Sequence, residues 1–184
     1  MDMKKLLALV LVLFLALTAV SALAGGSKEV PSTGGTGAVE EGETFTIKFV
    51  DDTPVSKATI EKFQEAYNSG DVLAPLPADI SSAIPAGFTK MNELLTAQIE
   101  GYKSGETDTV TINVMFETPY YDGTEVMVLI GILPADQTQE DAEIEWSAYK
   151  GYGQEDGSVN VTIPVEVFDK INTNPFLIGV ISAQ

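Results

Sequence analysis

From Val110 to Ile181 apolar residues recur mostly at every second position, and that period suits only a strand with one buried face. Val110, Ile112, Val114 and Phe116 alternate with Thr111 and Asn113. Ile144, Trp146 and Ala148 alternate with Glu143, Glu145 and Ser147, and Val159, Val161, Ile163 and Val165 with Asn160, Thr162 and Pro164. Val126 to Leu133 and Phe176 to Ile181 are apolar on both faces and are expected to be central strands. Asp122-Gly123 and Asp156-Gly157 are turn signals between these runs. Pro164 cannot donate to a ladder, so its strand is expected to lie at an edge or to end there. Val167, Phe168 and Ile171 suggest one helical turn before the last strand.

Upstream, Phe45, Ile47 and Phe49 alternate with Thr46 and Lys48, predicting a strand over 44–50. Ser56 is placed to cap a helix over 56–69, whose Ile60, Phe63 and Tyr67 share a face and which Gly70 ends. Pro75, Pro77 and Pro85 argue against regular structure over 72–87. Residues 88–102 fit both a helical stripe (Phe88, Met91, Leu95, Ile99, Tyr102) and a strand (Leu95, Ala97 and Ile99 alternating with Thr96, Gln98 and Glu100); a strand from about 93 agrees better with the hairpins that follow. Short strands separated by turns predict a mostly β (α+β) chain. The expected architecture is an antiparallel β-sandwich over 93–184, immunoglobulin-like in arrangement, with a strand-helix-loop unit over 44–92 packed on it.

The N-terminus reads as an export signal. Lys4 and Lys5 precede the apolar run Leu6–Val20, and Ser21-Ala22-Leu23-Ala24 offers small residues for a peptidase, so residues 1–24 are expected to be removed. Residues 25–43, rich in Gly, are expected to be a flexible linker. The leader resembles that of a bacterial lipoprotein, but the chain has no cysteine to carry a lipid. A secreted, extracellular or cell-envelope location follows.

Composition narrows the chemistry. With 27 acidic residues against 10 basic ones the net charge is −17, which disfavours nucleic acid and anionic lipid as partners. Every cation is a lysine, and there is no histidine. Catalytic triads, thiol nucleophiles, His- or Cys-ligated metals and guanidinium clamps therefore have no residues to form them. Ser147-Ala148-Tyr149-Lys150 matches S-x-x-K, with Lys103-Ser104-Gly105 and Ser158-Val159-Asn160 as loose companions. A strand would put Ser147 and Lys150 on opposite faces, so the match is rejected. Asp136, Glu140 and Asp141 are candidate calcium ligands, although a solvated acidic loop explains them as well and no cofactor is required. Asn160-Val161-Thr162 is a glycosylation sequon, relevant only in a glycosylating host.

Tyr120, Tyr121, Tyr149 and Tyr152 lie near predicted strand ends, where aromatic faces can stack on sugar rings. The expected function is a non-catalytic binding or adhesion module for a glycan or an extracellular protein. The alternatives are a structural envelope domain with a protein partner, and a glycosidase working through two carboxylates. The export reading has a direct check: expressed with its leader in a secreting host, the released protein should begin at Gly25 by intact mass. A retained leader would contradict it.

Overall fold

The computed structural model describes residues 35–38, 44–102 and 108–183. The expected signal peptide, most of the linker and Lys103-Ser104-Gly105 lie outside them. The strands are β1 (Gly35–Ala38), β2 (Thr44–Phe49), β3 (Phe88–Glu100), β4 (Thr109–Val114), β5 (Glu125–Ile132), β6 (Glu145–Gly153), β7 (Val159–Pro164) and β8 (Phe176–Ala183). The helices are α1 (Pro54–Ser69), α2 (Ala78–Ala83) and α3 (Val165–Ile171). The chain is thus mostly antiparallel β, as its alternation requires.

Sheet closure departs from the expected sandwich. The strands follow one another in the ring β1-β2-β3-β8-β5-β6-β7-β4, a closed barrel. Two stacked sheets need strands with a single partner at their edges, whereas here each strand has two. The closing piece is β1, which pairs with β2 (Gly37↔Phe45) and with β4 (Gly37↔Ile112). Its sequence, Gly-Thr-Gly-Ala, has no apolar alternation, so within the Gly-rich segment it reads as linker. Backbone pairing on both sides, and no side-chain pattern, makes it a strand.

Alternation then decides what lies inside. Val110, Ile112, Val128, Val161, Phe176 and Ile178 are among the buried side chains that fill the barrel. β5 and β8 are apolar on both faces because their outer sides are covered too. Met127, Leu129, Leu177 and Ile181 pack with Leu94 and Trp146 beneath Val55 and Phe63 of α1. The Phe63 and Trp146 rings lie 5.3 Å apart at an interplanar angle of 60°. Trp146 is therefore core, as expected, but in the layer outside the barrel wall.

Three local readings shift. Thr53, not Ser56, is the N-cap of α1: its N–H donates to Ser56 Oγ (2.8 Å), and its own hydroxyl accepts from the Ser56 N–H (3.3 Å). Pro54 follows in the first turn, where a missing N–H costs nothing. Gly70, at φ 86°, closes the helix as expected. Pro77 brackets the short helix α2 rather than forbidding one, supplying its carbonyl to the Ser81 N–H (2.9 Å). β3 starts at Phe88 and so crosses the boundary placed at 92/93, joining both halves of the chain to one wall. Pro164 ends β7, an interior strand, and passes the chain to α3, whose Phe168 and Ile171 join the barrel core.

Phe63 is 2% exposed, and Phe63→Ala should cost about 3–5 kcal/mol in urea unfolding. The emission of the single tryptophan should move to the red. Unchanged emission with a loss below about 1 kcal/mol would contradict this packing.

Candidate functional site

At one end of the barrel two connections meet: β4 to β5, which carries the tyrosine pair, and the β6–β7 hairpin. β3 anchors the first. Its register shifts between Met91 and Glu93, a bulge that re-aims side chains. The Glu93 carboxylate accepts the backbone N–H of Glu117 (3.0 Å) and of Thr118 (2.6 Å). Beside it Asn92 Nδ2 donates to the Tyr120 hydroxyl (2.8 Å).

Tyr120 is an anchor rather than a binding surface. It is 4% exposed and meets Phe116 edge-on at 6.3 Å. Burial, with a smaller push from the Glu93 charge, raises its phenol to about 12 against the pull of the Asn92 bond. Its N–H donates to the Gly157 carbonyl (2.9 Å), fastening the tyrosine loop to the hairpin. Gly153 and Thr124 continue the seam (Gly153 N–H to Thr124 carbonyl, 2.8 Å). A Cβ on Gly153 would run into the carbonyl oxygens of Tyr120 and Tyr121, so only glycine allows this approach.

The hairpin has its own lock. Asp156 Oδ1 accepts from the Ser158 hydroxyl (2.5 Å) and N–H (3.0 Å), and these bonds, the hydroxyl first, hold its carboxyl below the usual range. Gln154 Nε2 donates to the carbonyls of Tyr152 (3.0 Å) and Gly153 (3.2 Å). Between loop and hairpin lies an open depression of about 490 Å³ lined by Asn113, Asp122, Gln154, Glu155 and Asp156. Tyr121 precedes Asp122 in the chain and is 80% exposed; Tyr152 precedes the Gln154 turn and is 46% exposed. Neither ring lines the depression itself, but each belongs to a segment that does, one residue before Asp122 and two before Gln154, so exposed aromatic rings and the amides and carboxylates of the depression share this end of the barrel.

The four candidate tyrosines therefore divide. Tyr121 and Tyr152 share this end and face solvent, whereas Tyr120 is buried. Tyr149 is half-buried, opposite Val128, and packs against the barrel interior. Tyr149 and Tyr152 are separated by an odd step along one strand, which sends them to opposite faces. Ser147 and Lys150 part for the same reason, and Lys150 pairs with Glu125 (3.1 Å).

The acidic candidates lie at the other end of the barrel, in the β5–β6 connection. Asp136 turns its oxygens onto Thr138 Oγ1 (2.6 Å), Thr138 N–H (3.0 Å) and Gln139 Nε2 (3.0 Å), which hold its carboxyl below the usual range. Glu140 and Asp141 are exposed. Among the described residues no group of three or more carboxylates is placed to hold a metal ion.

No family model, curated protein or solved structure matches this chain.

Tyr120 supplies a pH test. Its folded value lies above the ordinary 10.0, so its contribution is complete below pH 10 and is lost as pH rises towards about 12. Phenolate absorbance should include a step near 12 that belongs to Tyr120. Tyr120→Phe should remove that step and flatten the alkaline loss of stability. Ionisation of all tyrosines near 10 in the folded protein would contradict the burial.

Proposed function

We propose that the chain is a secreted or cell-surface, non-catalytic binding module that takes a glycan between Tyr121 and Tyr152. One observation carries the reading: two exposed tyrosines sit in the same two connections that line a depression with amides and carboxylates, at the anchored end of a barrel. An aromatic face is apolar, as is the C–H face of a sugar ring, so stacking removes both from water. Asn113, Gln154, Asp122 and Glu155 offer donors and acceptors to hydroxyl groups around it. The Glu93, Asn92 and Gly153 contacts hold the loop in place before binding, which lowers the ordering cost. The export signal read in the sequence fits a ligand met outside the cytoplasm.

Strand addition by a protein partner has less to work with, because among the described residues every strand already has a neighbour on both sides and the unpaired stretches are confined to parts of β3 and β6. An envelope protein partner bound at this end would register as retention on cell walls but on no purified polysaccharide.

The test is retention of the purified protein on washed cell walls and on insoluble polysaccharides, with and without calcium. Tyr121→Ala and Tyr152→Ala should each weaken retention about tenfold, the share of an exposed aromatic anchor of roughly 1.4 kcal/mol. Calcium should make no difference. No retention on any matrix would sink the proposal.

A further inference from the structure

The outer wall of the barrel is of two kinds. Where β3, β8, β5 and the first half of β6 run, it is apolar and seats the helices. Where the end of β6 meets β7 and β4, it bears Tyr152, Asn160, Thr162, Thr111 and Asn113. These face outward because their neighbours Gly151, Val159, Val161, Ile112 and Val114 are buried in the barrel. Register sets them in rows. Tyr152 is opposite Asn160 and Asn160 opposite Asn113; Thr162 is opposite Thr111, their hydroxyls 2.9 Å apart. Neighbouring strands are about 4.8 Å apart, so each step along a row is about that long.

In a chain of net charge −17 this strip has no charged side chain. Ion pairs flank it instead: Lys150 with Glu125 on the β6 side, and Lys48 with Glu100 beyond β1. The strip is continuous with the depression, since Asn113 lines both. At its centre the Asn160 amide oxygen is shielded from solvent and accepts no hydrogen bond.

Resting on the glycan reading above, we infer that the site continues from the depression across β6, β7 and β4, and that its ligand is the interior of an uncharged polysaccharide chain. Hydroxyl and amide groups at strand spacing present alternating donors and acceptors to a run of sugar hydroxyls. With no cation in the strip and carboxylates in the depression, an acidic polymer meets repulsion. A terminal sugar alone would fill the depression and leave the strip idle.

Affinity electrophoresis of the purified protein through gels holding xylan, mannan, mixed-linkage β-glucan, alginate or polygalacturonate tests the charge requirement. Calorimetry with oligosaccharides of two and six units, cut from the polymer that retards the protein, tests the length. Retardation by a neutral polymer is expected, with the six-unit oligosaccharide bound at least tenfold tighter than the two-unit one. The double variant Thr111→Val, Thr162→Val removes both hydroxyls yet keeps β-branched residues in the strands, so it should melt like the parent. It should erase most of the length effect and leave two-unit binding unchanged.

Equal affinity for both lengths, or a length effect that survives the double variant, overturns the inference. If Tyr121→Ala still weakens binding about tenfold in that case, the depression remains the site. Retardation by the acidic polymers alone also overturns it. No retardation in any gel removes both the inference and the glycan reading.

Discussion

The two-sided burial of β5 and β8 is the constraint on which everything else rests. Val128 and Ile178 point into the barrel while Leu129 and Leu177 point out beneath α1. Each face alone would satisfy a strand, but both together bind the barrel interior to the helical layer. Truncating either layer weakens the other, because interiors pack as densely as crystals. With β5 and β8 fixed between β3 and β6, the remaining strands have one way to continue, which is around.

That asymmetry of the wall distributes the work. The apolar half is used up by α1 and α2, and the polar half is left to solvent from β6 to β4. The connections at one end are then stiffened by a few directed contacts: a bidentate carboxylate at Glu93, a buried phenol at Tyr120, a glycine at position 153 that admits two carbonyls. Loops held this way can present side chains without having to be ordered by a ligand. Tyr120 and Tyr121 illustrate the division, one ring spent on anchoring and its neighbour turned outward.

The strands were legible where one face differs from the other. Val110–Val114, Val159–Ile163 and the two doubly apolar runs were placed by their periodicity, and α1 by its apolar face and Gly70. Closure was not legible, because β1 contributes backbone hydrogen bonds and only Gly, Thr and Ala side chains. β3 was half legible, since a chance helical stripe overlay the strand pattern and its bulge leaves no mark in the sequence. The site was legible in residue type but not in composition. Tyr121 and Tyr152 could be picked out, yet Asn92, Glu93, Asn113 and Gln154 reach it only through pairing between distant strands. Parity within β6 would have separated Tyr149 from Tyr152 in advance.

The most direct measurement is an amide chemical-shift map of the labelled protein titrated with soluble fragments of the polysaccharides offered in the retention test. Shifts should cluster at Tyr121, Asp122, Tyr152 and Gln154 and leave α1 and the 136–141 loop unchanged. Shifts centred on α1 or on the acidic loop, with the tyrosine end silent, would contradict a site built between Tyr121 and Tyr152.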